Sequence, residues 1–392
     1  MAIPSRAPVP SPAPADHPVR DALLVVLLLA PLIAAGLGAL VSRDLETLPF
    51  EKRRAHPWPS PFTATSVREF TSAFERAFDD RFGGRERLAR LHHAIEARVF
   101  ESSPVPNVLL GRNGWLYFLG EDGRALDRHF RGIAPLSLRP EAIVAELARR
   151  HDALAGRGIA YVVAIVPDKY SVYPEHLPRW ISRTSSTPLE RTQALLRANG
   201  RVTFVDLQRA LVEEKTRRLV YYRTDSHWNF TGAATGYEAI MRAVQRALPN
   251  RLAAIAPVPW PHHVAGADFY SGDLSSFLGV PRMFREDDAA PLGKVLADQS
   301  KRCAQRVAPP SQLEAAALEI FECPRHDLPS ALIWRDSMSI PLVPLVSENF
   351  RRTVWIERPR FDLSIVDSQR PDIVLEIFVE RTLDHLAPMT TR

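Results

Sequence analysis

Ala331-Leu332-Ile333-Trp334-Arg335-Asp336-Ser337-Met338-Ser339 is the stretch on which the fold turns. Four apolar residues stop abruptly at Arg-Asp-Ser, and a mixed apolar segment, 340–350, follows. A short apolar run bounded in this way predicts a buried strand. A serine at the strand-to-helix turn that ends it is held exposed at the carboxyl edge of a sheet, where open α/β folds place their chemistry. Its partners lie upstream, in Thr224-Asp225-Ser226-His227-Trp228-Asn229. Asp225 and His227 are two residues apart, so on an extended segment both side chains point to one side. Serine, histidine and aspartate are the nucleophile, the base and the group that orients the base in a hydrolase-type relay. In such a relay Asp225 bonds the ring nitrogen turned away from Ser337. On residue types alone, a helix-capping Ser337 and a surface His227 are the plainer reading; the rest of the chain shifts the balance.

Working outward, helical and strand patterns alternate. Residues 140–155 read as a helix and 159–166 as a β-branched strand, then 188–198 as a helix and 202–205 as a strand. A helix is expected over 230–247, with strands ending at Trp334 and covering 353–356 and 373–377. Such alternation predicts an α/β fold with a mostly parallel sheet and helices on both faces. Residues 257–325 look irregular and are expected to be a long loop or insertion. Nearer the N-terminus, Val67, Phe70, Phe74, Phe78 and Phe82 recur at spacings of three and four, the mark of one helical face, which is expected to pack into a core. Gly83-Gly84 breaks that helix, and a second amphipathic segment covers 85–100. Residues 108–118 read as a β-hairpin turned by Asn113-Gly114.

The 392 residues suffice for one large α/β domain with accessory elements. A net charge of +5, with basic residues scattered and no nucleic-acid-binding signature, argues against nucleic acid as a partner. Two cysteines, Cys303 and Cys323, exclude a dense disulfide scaffold and a cysteine-based zinc site. In an exported domain they form one disulfide; otherwise they are two unpaired thiols. The expected organisation is a disordered Pro-, Ala- and Ser-rich tail (1–21), a transmembrane anchor (22–41), a spacer with amphipathic helices (42–100) and a catalytic domain (101–392). Residues 22–41 carry no charge, which matches the ~20 residues that cross a bilayer and exceeds the ~7–15 of a signal-peptide core. Arg43, Lys52, Arg53 and Arg54 follow it, so the positive-inside count opposes export of what comes after.

Secondary candidates surround the relay. Lys169 and Tyr173 lie in a loop after the 159–166 strand, where a parallel sheet would bind substrate. Gly272, in Ser271-Gly272-Asp273-Leu274, offers a backbone N–H to an oxyanion. Asp336 is expected to bond local backbone. A metal site needs at least one further ligand beside Asp225 and His227, which His262, His263 and Asp268 could supply; that spacing matches no standard site, so neither metal nor other cofactor is expected.

Taken together, several segments resemble one family. They are Asp79-Asp80-Arg81-Phe82-Gly83-Gly84-Arg85, Gly111-Arg112-Asn113-Gly114-Trp115-Leu116-Tyr117, Pro167-Asp168-Lys169 with Tyr173-Pro174-Glu175, and Tyr222-Arg223-Thr224-Asp225-Ser226-His227-Trp228-Asn229. Gly272-Asp273-Leu274, Arg335-Asp336-Ser337, and Pro371-Asp372-Ile373-Val374 with Glu380-Arg381 complete the set. They resemble the SGNH-hydrolase-like domains of bacterial alginate O-acetyltransferases and related cell-surface polysaccharide acetyltransferases, over roughly 45–385. The resemblance implies an SGNH-like, flavodoxin-like fold, circularly permuted so that Asp and His precede Ser. By similarity Ser337 is the nucleophile, His227 the general base and Asp225 its orienting acid, with Arg335, Lys169, Tyr173, Gly272 and Asn229 as substrate or oxyanion contacts. Met338 stands where the family usually has an aromatic residue. Relatives work in the periplasm on a polysaccharide acceptor and take acetyl groups from a membrane-bound O-acyltransferase, and for that reason the charge count at the membrane segment is set aside. The implied function is a membrane-anchored periplasmic O-acetyltransferase. The alternatives are an acetyl esterase using the same relay and a non-catalytic polysaccharide-binding subunit.

Overall fold

Side chains alternate along Ala160–Val166 between two separate apolar cores. Val162, Ala164 and Val166 pack with Val220, Tyr237 and Ile240 on one side. Tyr161, Val163 and Ile165 pack with Ile143, Leu147 and Leu196 on the other. A strand buried on both faces must be sandwiched by helices, and the β-branched residues suit the pleated surface. Helices Pro140–Ala155 and Pro188–Asn199 cover one face, and Leu207–Glu214 and Phe230–Ala247 cover the other.

The computed structural model describes residues 18–41, 46–48, 53–60, 66–82, 85–130, 139–182, 186–252, 254–258, 270–284, 286, 302–308, 318–357 and 360–387. Most of the expected 1–21 tail, the Gly83-Gly84 break and the His262-His263-Asp268 trio lie outside these residues. The chain divides into two units, Met1–His92 and His93–Arg392.

In the first unit, Pro18–Val41 is a 24-residue helix. Among the described residues, however, no helix is long and apolar enough to cross a membrane. Val67–Arg81 is a helix capped by Ser66, whose Oγ accepts from Glu69 N at 3.2 Å. Phe70, Phe74 and Phe78 stack along one face, each successive pair of ring centroids 6.3 Å apart. Phe74 is still 43% exposed, so the stripe is a half-open face rather than the closed core expected from its spacing.

The second unit holds a seven-stranded sheet: β1 (Ala160–Val166), β2 (Thr203–Val205), β3 (Gln305–Val307), β4 (Leu318–Glu322), β5 (Ser330–Arg335), β6 (Arg352–Ile356) and β7 (Ile373–Val379). Their order is β2-β1-β7-β5-β6-β4-β3. The first five in that order run parallel, and β4 and β3 are antiparallel additions at one edge. The sheet is therefore mostly parallel, as expected, and mixed through its antiparallel pair at one edge. Both added strands come from the region expected to be irregular; at three and five residues they are too short to show a clear alternation. Cys303 and Cys323 form a disulfide across this outer hairpin, Cα–Cα 5.1 Å.

Counted from β5, the five parallel strands take the order 2-1-3-4-5, the doubly wound order of flavodoxin-like sheets, entered here at its fourth strand. The switch point of that order lies between its first and third strands, at the carboxyl ends of β5 and β7. Val108–Leu110 and Leu116–Phe118 form the expected hairpin. Its turn is a tight helical loop with Asn113 and Gly114 both at positive φ, +59° and +77°. The Leu116 N–H donates to Arg223 O at 2.8 Å, which ties the hairpin to the segment that carries Asp225.

Candidate active site

β5 delivers Ser337 to the switch point. Asp336 ends the strand, its Oδ1 accepting from Met338 N at 2.9 Å and its Oδ2 from Val379 N at 2.6 Å. The first bond is the local cap expected of this residue. The second pins the end of β5 to the end of β7 and so fixes where the turn begins. Met338 is fully buried, and its carbonyl accepts from Trp228 Nε1 at 2.9 Å, which joins the serine turn to the histidine segment.

The three relay residues converge. His227 Nε2 is 3.1 Å from Ser337 Oγ, and His227 Nδ1 is 2.8 Å from Asp225 Oδ1. The carboxylate holds the hydrogen on Nδ1, which leaves Nε2 to accept from the serine hydroxyl. Asp225 also accepts from the backbone N–H of His227 at 2.9 Å, from the Tyr270 hydroxyl at 2.6 Å and from Asp273 N at 3.1 Å. Burial opposes ionisation of Asp225, but the His227 hydrogen bond and charge outweigh it and hold this carboxyl well below the usual range. Burial likewise opposes the imidazolium of His227; the hydrogen bond and charge of Asp225, with the charge of Asp273, prevail and raise its pKa. Asp273 goes the other way, pushed up by burial and by the charge of Asp225.

The remaining predicted contacts serve the scaffold. Buried Lys169 donates to the carbonyls of Tyr222, Arg223 and Asp225 at 3.0, 3.0 and 2.7 Å, and burial lowers its pKa to about 8. Its ammonium thus holds the strand-like segment that presents the relay, and all three of its protons are used. Tyr173 accepts from Val220 N at 3.0 Å through its hydroxyl. Asn229 caps helix Phe230–Ala247, its Oδ1 accepting from Gly232 N at 3.0 Å. Arg335 is buried and pairs with Glu319 and Glu357 at 3.0 and 3.3 Å. The Gly272 N–H donates to Thr224 Oγ1 at 3.0 Å, so it is not free for an oxyanion. A Cβ at Gly272 would stand 2.4 Å from the Thr224 and Asp225 backbone, which makes glycine here a condition of close packing. None of these five lines the cavity beside Ser337.

That cavity, about 480 Å³, opens over Ser337 and His227 and is lined by Phe118, Phe277, Arg381 and Asp384 among others. Arg381 follows β7 and pairs with buried Asp168. Sequence reasoning passed over Arg381, Tyr270, Asp273 and Glu286 as site residues. Glu286 takes the N–H groups of Arg223 and Thr224 at 2.9 and 2.7 Å. All but Arg381 lie in the region read as irregular; Asp273 did stand in a matched motif, Gly272-Asp273-Leu274, but only its glycine drew a role. Asp225, His227 and Asp273 also bring potential metal-ligand atoms within 4.8 Å of one another. Those atoms already hydrogen-bond among themselves and to Ser226, Tyr270 and Ser337, which is the pattern of a proton relay.

Comparison with known proteins identifies the family. A family model described as "SGNH hydrolase-like domain, acetyltransferase AlgX" matches residues 108–317, more than half of the chain. The "Probable alginate O-acetylase AlgJ" of Pseudomonas aeruginosa is 27% identical over 253 residues, covering 64% of this chain and 60% of that protein. Its namesake in Pseudomonas syringae pv. tomato is 27% identical over 216 residues, covering 55% and 52%. The chain thus spans between half and two thirds of the length of these relatives. Among solved structures, the O-acetyltransferase domain of Pseudomonas putida AlgJ aligns with a TM-score of 0.44 at 22% identity, over 73% of this chain and 96% of that one. Bacillus cereus PatB1 aligns with a TM-score of 0.48 at 16% identity, over 72% and 97%. On the match of its family model, the chain belongs to the AlgX family of SGNH hydrolase-like acetyltransferase domains.

Proposed function

We propose that the protein is an O-acetyltransferase that moves an acetyl group through an acetyl-Ser337 intermediate to a hydroxyl of an exopolysaccharide or cell-wall glycan. The observation that carries this reading is the continuous Asp225–His227–Ser337 hydrogen-bond chain at the mouth of a cavity. In the first half-reaction His227 Nε2 takes the hydroxyl proton as Ser337 Oγ attacks the donor's acetyl carbonyl, and the same proton goes to the departing donor oxygen. In the second, a sugar hydroxyl gives its proton to His227 and attacks the acetyl carbonyl, and Ser337 Oγ leaves and takes the proton back. Asp225 balances the imidazolium in both halves. Arg381, one of two arginines in the cavity wall with Arg128, carries a charge that stabilises the negative charge developing on the carbonyl oxygen.

The setting belongs to the same proposal. Helix Pro18–Val41 leaves Leu23, Leu24, Val26, Leu27 and Leu28 more than half exposed. No described helix meets the length and apolarity of a membrane span, so the proposed bilayer anchor rests on this exposed surface and on the uncharged run 22–41, with the His93–Arg392 unit in the periplasm and a membrane-bound O-acyltransferase as acetyl donor. The names of the relatives make alginate one candidate acceptor. The test is intact mass spectrometry after exposure to an activated acetyl ester. The wild type is expected to gain one acetyl group and Ser337→Ala none; an undiminished adduct in the variant defeats the assignment. Measuring acetate release beside transfer to an oligosaccharide separates a transferase from an esterase.

A further inference from the structure

A second carboxylate stands at the rear of the imidazole. Asp273 Oδ2 is 3.6 Å from His227 Nδ1, against 2.8 Å for Asp225 Oδ1. Asp273 also grips the residue between the two relay members: its Oδ1 accepts from Ser226 N at 2.7 Å and its Oδ2 from Ser226 Oγ at 2.5 Å. That hydroxyl oxygen lies 3.2 Å from Nδ1, so Ser226 sits between the second carboxylate and the ring. In the opposite direction, the backbone N–H of Asp273 donates to Asp225 Oδ2 at 3.1 Å. The two aspartates are therefore held by one reciprocal clip. Gly272 makes it possible, because only a residue without Cβ lets the turn before Asp273 lie this close to Thr224 and Asp225.

We propose that Asp273 is a positioning residue of the relay, which locks Ser226 and adds a second negative charge behind the His227 imidazolium. This proposal rests on the reading of His227 as the base for Ser337. A hydroxyl nucleophile needs a base whose protonated form is stabilised through the whole transfer, and two carboxylates hold that charge better than one. The charged groups facing His227 come from every element around it: Asp225 from its own segment, Asp273 from helix Asp273–Phe277, Asp336 from the end of β5 and Arg381 from the end of β7. Arg381 works against the imidazolium and Asp273 works for it.

The test follows the His227 imidazole by NMR titration of the full-length chain in detergent, with the signal assigned by its loss in His227→Gln. Asp273→Asn and Asp273→Ser remove the charge, and Asp273→Glu keeps it. The neutral variants are expected to titrate roughly 1 pH unit lower than wild type, with acetylation of Ser337 slowed and its acid limb displaced by the same amount. Asp273→Glu is expected to return the midpoint toward the wild-type position. Ser226→Ala, which breaks the hydroxyl bridge but leaves the charge, is expected to move it less than either neutral variant. A folded neutral variant with its midpoint unmoved overturns the proposal, as does a Glu variant that shifts as far as Asn. If neither neutral variant folds, an unmoved midpoint in Ser226→Ala together with a full shift in Asp273→Glu overturns it too. The titration needs no turnover, so a wild type that forms no acetyl-Ser337 would defeat the proposed reaction while leaving the measured influence of Asp273 on the ring intact.

Discussion

Ser337, His227 and Asp225 set the pH behaviour expected of the proposed reaction. His227 accepts a proton only when neutral, and its folded-state pKa is raised above the ~6.5 of a free imidazole. Acetylation of Ser337 is therefore expected to rise with pH through a midpoint above that value, and a midpoint below it in a pH–rate profile counts against the geometry. The linkage sign is opposite for stability. A raised folded pKa stabilises fully below the unfolded value and ceases to do so as pH rises through the folded one. The relay thus becomes active in the window where its imidazolium stops contributing to the fold. On type alone these three residues read more plainly as a helix cap and a surface histidine; the family resemblance of their motifs, in order along the chain, made them legible as a relay. Asp273 was not legible, since nothing in Gly272-Asp273-Leu274 says which backbone the turn will lie against.

Single elements hold the relay more than single contacts do. The segment carrying Asp225 and His227 is short, and its groups are fastened by Lys169, Glu286 and the 270–273 turn. Gly272→Ala tests this at the closest approach. The new Cβ would meet the Thr224 and Asp225 backbone at 2.4 Å, so one backbone must move. Overpacking of this kind costs roughly 1–3 kcal/mol. Thermal unfolding is expected to show that loss, and the rate of Ser337 acetylation is expected to fall by about tenfold or more, since ~1 Å of misplacement is enough for such losses. An alanine variant with wild-type melting and wild-type acetylation would refute the packing argument. Lys169, Tyr173, Gly272 and Asn229 read as substrate or oxyanion contacts in the sequence, because a polar group in a loop reads alike whether it faces substrate or carbonyls. Only the donor–acceptor geometry assigns them to the scaffold.

At the scale of the whole molecule, the sheet extends beyond its five parallel strands by an antiparallel pair closed with the Cys303–Cys323 disulfide. The bond spans a sequence separation of 20, and closing a loop of that size limits the unfolded chain by about 3 kcal/mol in the chain-entropy view. Denaturant unfolding with and without a thiol reductant is expected to show a loss of that order, reproduced by Cys303→Ser. Equal midpoints would mean that the outer hairpin is not held by the bond. This edge escaped the sequence reading because β3 and β4 are three and five residues long and lie within a stretch of mixed polarity.

By itself the sequence determined the elements of the parallel sheet and the residue types that a Ser–His–Asp relay needs. Near-continuous apolar runs, buried on both faces, mark β1, β5 and β7, helical periods lie between them, and a Ser, a His and an Asp stand in segments that end strands or open helices. These are local properties, and local patterns of hydrophobicity and residue type record them. Only the tertiary structure decided the 2-1-3-4-5 order that brings the ends of β5 and β7 together, the second carboxylate behind His227, and the assignment of Lys169 and Gly272 to support. Each of these depends on which distant backbone comes within hydrogen-bonding range, and no spacing along the chain encodes that distance.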